Sequence, residues 1–490
     1  MTLDQLIVKA QELLNSGNTI GAIEIFKKIS PYLENDPGFL DIFGTSYLRI
    51  DKKEKGIAML HKAHDLAPKN SSILYNLGKA YNDCEDFFHA KKYLTLAYQL
   101  DSENILVLNL LGAVLTQFGK FDKAYDLFLK VLKINPNYFL AFYNLGLLST
   151  KKTDYLNAIK NYEKAIAINP NHIDSIFNLG LTKLLMGDYE EGWKLYEIRL
   201  KDMVKKHDMY DGKKAWRGEE TINSKTLLLY GEQGFGDVIQ FSRYVPFLTR
   251  YKCKLILYVQ KELVSILKTL DKHVCVVGMD KPVPMHDFHC PIMSLPFVFK
   301  TNISNIPSRV PYLTISKAKK SLWQKELSKT NIKKIGIVFS GSKIFINDRF
   351  RSIDFKYFET FFKDINSVEF HSLMVEYRDG DKEHIKKSNF MISHEKDLID
   401  FSDTAALISS LDLVISVDSV VAHLAGAMNK PVWILIPFEP DFRWMLDTSD
   451  SLWYPSAKLF RQKYKNDWSQ PLKEINLALK DFVKAGTLDS

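Results

Sequence analysis

Five glycines, Gly44, Gly78, Gly112, Gly146 and Gly180, recur every 34 residues, and a fixed period of that length restricts the first part of the chain to a stacked-repeat architecture. The register holds at other positions. Twelve residues past each glycine stands a small residue (Gly56, Ala90, Ala124, Ala158, Gly192), and four further on a large apolar one (Leu60, Leu94, Phe128, Tyr162, Tyr196). Pro68, Pro136 and Pro170 close three of the periods, with Ser102 in the matching place of another. Small residues facing each other let paired helices approach closely, and a helix pair of this size buries its apolar faces only by stacking on its neighbours.

This pattern resembles the tetratricopeptide repeat, over residues 1 to about 200. The first unit keeps Ala22 and Phe26 but lacks the glycine, as an end cap does. Asn76, Asn144 and Asn178 precede the repeat glycine by two positions, with Ile42 and Leu110 in the corresponding places elsewhere. A similar asparagine ladder in O-linked N-acetylglucosamine transferases holds an acceptor polypeptide. The resemblance implies that role here, since an amide both donates to and accepts from a peptide backbone. The alternative is that these amides bridge neighbouring helices.

From Lys225 onward the periodicity changes. The runs "TLLLYG", "CKLILYV" and "VCVVG", then "KIGIVFS", "FHSLMV", "LDLVISV" and "PVWILIP", alternate with helical segments. Continuously apolar strands between helices indicate parallel sheets covered on both faces. The expected layout is a repeat superhelix at 1–200, a linker at 201–224 and two doubly wound, Rossmann-like lobes at 225–330 and 331–490, the second ending in a helix that packs back onto a lobe. Such sheets bind ligands beyond the carboxyl ends of their strands.

Two loops carry the chemistry. "YGEQGFGDVIQF" has glycines at Gly231, Gly234 and Gly236, which fits neither the dinucleotide spacing nor a P-loop. It reads as a turn that presents Asp237, either as a helix cap or as a reactive acid, with Gln233, Gly234 and Gly236 beside it. In "ISVDSVVAHLAGAMNKPV" a buried strand ends in Asp418 and Ser419, and a helix begins near Val420 and Val421. A helix start favours a diphosphate, and Asp418, Ser419 and His423 add polar groups at the same end. "HDFHCPIMSLP" contains His286, His289 and Cys290 without partner spacing for a metal, so no metal or cofactor is expected there. Its His289 and Ser294 are placed on the acceptor side. Trp444 and Tyr454 read as core or cleft-wall aromatics.

The "GD" after a glycine turn, paired with "VDSVVAHLAGAMNKPV", resembles the ADP-heptose–lipopolysaccharide heptosyltransferase family, which is inverting, metal-independent and of GT-B architecture. With Trp216 and Gly218, "HCPIMSLP" and "NDRFRSIDF", the chain is similar to bacterial tetratricopeptide–glycosyltransferase fusions of the O-linked N-acetylglucosamine transferase-like and flagellin-glycosyltransferase-like kinds. The resemblance implies that Asp237 is the general base. It implies that Asp418, Ser419, Val420, Val421 and His423 form the donor turn, with Val420 departing from the family's threonine-glycine pattern. Arg349, Arg351 and Ser352 fall where the family holds the diphosphate.

The expected function is transfer from a nucleotide-diphosphate sugar to a protein hydroxyl, the acceptor being flagellin or another surface polypeptide. Surface-glycolipid assembly and a non-catalytic scaffold are the alternatives. A net charge of +8 over 490 residues is too diffuse to indicate nucleic acid. "MTLDQLIVKAQELL" reads as an amphipathic helix and no apolar run nears the roughly 20 residues of a membrane span. Four cysteines without a CxxC pair fit a reducing cytoplasm.

Overall fold

The computed structural model describes residues 1–203, 213–327, 330, 332–343, 348–365 and 367–485. Residues 204–212 of the expected linker, 328–329 and 331 at the expected lobe boundary, Asn347 of the basic segment and the end of the C-terminal segment lie outside the described residues. The chain forms two compact units, Met1–Leu179 and Gly180–Ser490.

The first unit is built of helix pairs: α1 (Leu3–Asn15) with α2 (Thr19–Ile29), α3 (Pro37–Arg49) with α4 (Lys53–Leu66), α5 (Ser71–Asp83) with α6 (Phe87–Leu100), α7 (Ile105–Gln117) with α8 (Phe121–Ile134), and α9 (Phe139–Lys151) with α10 (Tyr155–Ile168). α11 (Ile173–Leu185) runs across the division between the units, and α12 (Tyr189–Tyr196) belongs to the second. Asn and Asp side chains cap many of the helices, among them Asn70, Asp86, Asn104 and Asp154, which engages amides that the first turn leaves open.

The sequence period reappears in the backbone. Asp51, Glu85, Gly119, Thr153 and Gly187, seven residues after each repeat glycine, all take positive φ, from 57° to 89°. This left-handed residue turns the chain between the two helices of a pair. The repeat glycines answer to close packing instead: a Cβ on Gly112 would sit 2.6 Å from Phe128, and one on Gly78 would sit 2.5 Å from Leu94. Both large side chains are completely buried, each contributing about 1.5–3 kcal/mol.

The second unit holds two all-parallel sheets. The first contains β1 (Lys214–Ala215), β2 (Thr226–Tyr230), β3 (Lys254–Val259), β4 (Val274–Gly278) and β5 (Phe288–Pro291), in the order β1-β5-β2-β3-β4. The second contains β6 (Lys333–Val338), β7 (Val368–Ser372), β8 (Met391–Ile392), β9 (Leu413–Val417), β10 (Val432–Ile436) and β11 (Ala457–Arg461), in the order β11-β10-β9-β6-β7-β8. Counted from β6, the second order is the doubly wound one. Its direction reverses between β6 and β9, as the first sheet's does between β2 and β5. Each reversal opens a crevice at the carboxyl ends of the strands.

All seven expected strand runs are strands. The sequence pattern missed β1, β5, β8 and β11, which are short or lie at sheet edges. An edge strand such as "AKLFR" alternates buried with exposed residues near its start and lacks the continuous apolar run of a central strand. The C-terminal helix Ser469–Ala485 packs on the second lobe: Phe482 meets Trp433 and the Asn476 amide donates to the Phe361 carbonyl.

Candidate active site between two strand-end crevices

β2 ends at Tyr230, and the glycine loop leads into the helix Phe235–Phe241. Gly234, and not Asp237, occupies the cap position. Asp237 stands in the first turn and accepts the Gly234 N–H through Oδ2 at 2.9 Å. None of the loop's glycines has positive φ. Two are required by close approach: a Cβ on Gly231 would lie 2.5 Å from Val238, and one on Gly236 would lie 2.9 Å from the His423 ring and 3.6 Å from Val420 Cα. His423 and Val420 belong to the helix Val420–Ala427 of the other lobe. The helices that start at the two crevices are therefore in contact through Gly236.

In the second lobe β9 ends at Val417, and Ser419 caps the helix Val420–Ala427, its hydroxyl accepting the Val421 N–H at 3.3 Å and pairing with Ser416 Oγ at 2.9 Å. Arg351 crosses from the end of β6 to the end of β9. Its Nη1 donates to the Asp418 carbonyl at 2.9 Å and its Nε to Asp348 Oδ1 at 3.1 Å. The guanidinium lies flat against Gly341, where a Cβ would be 2.5 Å from Nη2. Ser352 Oγ accepts the Gly341 N–H and donates to Asp348, each at 2.9 Å, and Arg378 also pairs with Asp348. Arg351, Ser352, Asp418 and Ser419 thus converge where the strand order reverses.

Arg443 joins the two crevices. It follows β10 in the loop "FEPDFRW", and it donates to Asp237 and Gln240 of the first lobe and to Asp441 of its own at 2.8 and 2.9 Å. Burial raises the Asp237 carboxyl above its ordinary value, the Arg443 guanidinium opposing and Asp441 reinforcing the shift. Asp418 is pushed up to about 6 by burial and by Asp441, with Arg351 opposing. A second buried arginine, Arg243, crosses in the opposite sense, from the first lobe to the Trp453 carbonyl at 2.7 Å, and it lies over the Tyr454 ring.

The remaining expected residues make other contacts. His423 is buried, with Nδ1 3.0 Å from the Tyr454 hydroxyl and its ring stacked on Trp444. Burial, with Arg443, Arg243 and Arg351 nearby, pushes it well below the usual imidazole value. Arg349 lines a recess with Phe350, Ser352, Asn466 and Trp468. His289 lies within β5, its carbonyl accepting from the Trp216 N–H at 2.8 Å, and is buried in the sheet. Ser294 is engaged with Glu197 and Arg199, and the Gln233 amide donates to the Tyr196 hydroxyl.

In the repeats the amides of Asn76 and Asn144 donate to residues 35 positions earlier: Asn76 to Asp41 at 2.8 Å, Asn144 to Asn109 at 2.9 Å. Asn178 donates to the Asp174 carbonyl of its own helix. These amide donors hold repeats and helix turns together. Sequence reasoning missed Arg443, Arg243 and Arg199. Arg443 was discoverable, since "FEPDFRW" follows a strand end where such sheets place their site; the other two sit in helical segments that carry no comparable signal.

A tetratricopeptide-repeat pattern matches residues 71–104, 106–138 and 140–172, and a second one matches 161–194. The glycosyltransferase family 9 (heptosyltransferase) pattern matches residues 398–435, the stretch that holds β9, Asp418, Ser419 and the helix Val420–Ala427. Protein FlbA of Caulobacter vibrioides is 22% identical over 293 residues, covering 55% of this chain and 48% of that protein. BBSome complex member BBS4 of Xenopus tropicalis is 26% identical over 129 residues, covering 26% and 25%. The chain therefore spans at most about half the length of these relatives. Among solved structures, YrrB, a tetratricopeptide protein with an unusual peptide-binding site, is 24% identical, with 35% of this chain and 88% of that chain covered at a TM-score of 0.30. A thermophilic tetratricopeptide protein of Thermus thermophilus, TTC0263, is 15% identical, with 35% and 93% covered at 0.32. No helix among the described residues is long and apolar enough to cross a membrane. The chain is a fusion of tetratricopeptide repeats with a segment similar to glycosyltransferase family 9.

Proposed function

We propose that the Gly180–Ser490 unit is an inverting glycosyltransferase in which two lobes in GT-B arrangement move a sugar from a nucleotide-diphosphate donor to a hydroxyl acceptor. The observation that carries this reading is the position of the family 9 segment: its strand-to-helix turn packs on the helix of Asp237 through Gly236. Asp237 accepts the acceptor's proton as the hydroxyl oxygen attacks the anomeric carbon. The bond from that carbon to the diphosphate oxygen breaks, and the diphosphate leaves with the electron pair. Arg443 opposes the effect of burial on the Asp237 carboxyl. Arg351 and the first turn of Val420–Ala427 face the charge that develops on the leaving group, and fixed donors of this kind stabilise it most where water is excluded. Asp418, poised near neutrality, both accepts from and donates to sugar or ribose hydroxyls. The reaction belongs in the cytoplasm, with the nucleotide sugar as substrate and no separate cofactor.

The repeats favour a polypeptide acceptor, flagellin or another surface protein, bound in their groove by contacts beyond the asparagine amides. The heptosyltransferase character of the matched family favours a second reading, transfer to a surface glycolipid with the repeats docking a partner. Mass spectrometry of the host's proteins and glycolipids, with wild type and with Asp237→Asn, separates them. Loss of a glycan from a polypeptide supports the first reading and loss from a glycolipid the second. An unchanged glycan inventory overturns both.

A further inference from the structure

The crevice of the first lobe is already filled, and by a side chain from the turn that follows the last repeat helix. After α12 the chain makes a turn at Glu197–Arg199, and the Arg199 side chain, 6% exposed, enters the point where the strand order reverses between β2 and β5. Its Nη2 donates at 2.9 Å to Glu232 Oε1, just past the end of β2, and at 2.9 Å to Ser294 Oγ, just past the end of β5. Its Nη1 donates to Glu197 at 2.6 Å and to the Tyr196 carbonyl at 3.1 Å. The Glu232 side chain is completely buried, so this guanidinium is its counter-ion, shared with Glu197.

Tyr196 acts on the next residue of the loop. Its hydroxyl accepts from the Gln233 side-chain amide at 3.1 Å, while Gln260 Nε2 donates to the Gln233 carbonyl at 2.7 Å. The residue after that is Gly234, whose N–H holds Asp237 Oδ2. Glu232 and Gln233 are thus pinned from α12 and its following turn, immediately before the amide that orients the candidate base. The bonds that Arg199, Tyr196 and Gln260 make here are between buried or half-buried partners, where an unmade hydrogen bond is costly, while the Gly234 amide itself is exposed.

We propose that Tyr196 and Arg199 are positioning residues for the Asp237 loop: they fix Glu232 and Gln233 so that the Gly234 amide holds the Asp237 carboxylate in its working orientation. This rests on the reading of the unit as a glycosyltransferase, but its structural half can be tested without activity. Hydrogen exchange read by mass spectrometry, on the full chain, compares wild type with Arg199→Met and with the milder Tyr196→Phe, which deletes only a hydroxyl. Amides of 231–237 should exchange at least about tenfold faster in each variant that folds, while those of β3 at 254–259 stay unchanged. With a nucleotide-sugar donor, kcat should fall at nearly constant donor KM, and Arg199→Lys should restore part of it.

Unchanged exchange in 231–237, or equal acceleration across all of β2, β3 and β4, overturns the proposal, the second outcome assigning these residues to stability alone. Should wild type turn over no nucleotide sugar, the functional reading fails while the exchange comparison still decides the positioning claim. Should Arg199→Met not fold, Tyr196→Phe decides it.

Discussion

Replacing Arg443 with methionine removes the charge between the lobes while keeping a long apolar side chain against Phe442 and Phe241, over whose rings the guanidinium now lies. The change leaves Asp237 and Asp441 without their shared counter-ion and Gln240 without its donor partner. Breaking a buried ion pair from one side costs about 3–5 kcal/mol, because a charge stays behind uncompensated. The Asp441 side chain is 35% exposed and that of Asp237 20%, so water relieves part of the penalty and the lower end, about 3 kcal/mol, applies.

All seven tryptophans lie at or beyond Trp193, so tryptophan fluorescence reports the second unit alone. With a urea slope of about 3 kcal/mol/M for a unit of this size, the fluorescence midpoint should fall by about 1 M at neutral pH. Loss of the guanidinium raises the Asp237 carboxyl further, since Arg443 opposes the effect of burial. A group whose folded pKa is raised stabilises the fold at low pH and ceases to do so as pH rises through that value. The deficit of Arg443→Met should therefore narrow on acidification. Adding Asp237→Asn should restore part of the midpoint, since the stranded charge is gone. A deficit of equal size at acid and neutral pH, or strictly additive losses in the double variant, would refute the electrostatic account and leave only packing.

The same fluorescence assay tests Asp418. Its carboxyl is raised from 3.8 to about 6 in the fold, so its contribution is fully present below the first value and lost as pH climbs through the second. Asp418→Asn should flatten the fall in urea midpoint across that window; an unchanged pH profile would show that Asp418 is not the group responsible. In the repeats, Gly112→Ala drives a methyl into the buried Phe128 ring, costing about 1–3 kcal/mol of overpacking against about 1 kcal/mol gained in helix propensity. Thermal melting followed by far-UV circular dichroism should show a net loss, and a gain in melting temperature would contradict the close-packing role of the repeat glycines.

How much was legible in the sequence follows from how local each constraint is. The 34-residue period encodes contacts between adjacent helices, so the glycines, their apolar partners and the helix pairs could be counted off directly. Central strands buried on both faces announce themselves as apolar runs, whereas β5 and β11 do not. At the site, the two strand-to-helix turns were visible because each is contiguous, and the doubly wound order then places Arg351, Ser352, Asp418 and Ser419 together. Contacts made across the lobes were not visible. Nothing local marks Arg443 as the partner of Asp237, or His423 as a buried ring over Gly236, because each depends on a residue far away in the chain. The asparagines show the converse limit. Their spacing was apparent, yet the same spacing serves a peptide groove or a bond to the preceding repeat, and the bonds to Asp41 and Asn109 could not be read from it.

Asp237 as the base and the second lobe as the donor site are tested together by one paired measurement: donor binding by calorimetry and transfer by product analysis, for wild type and Asp237→Asn, over UDP-, ADP- and CMP-sugars. The predicted result is a donor that binds both proteins with Kd values within about twofold, and transfer that falls by at least about a hundredfold in the variant, the scale of a lost general base. Equal loss of binding and transfer, or undiminished transfer by Asp237→Asn, would contradict it.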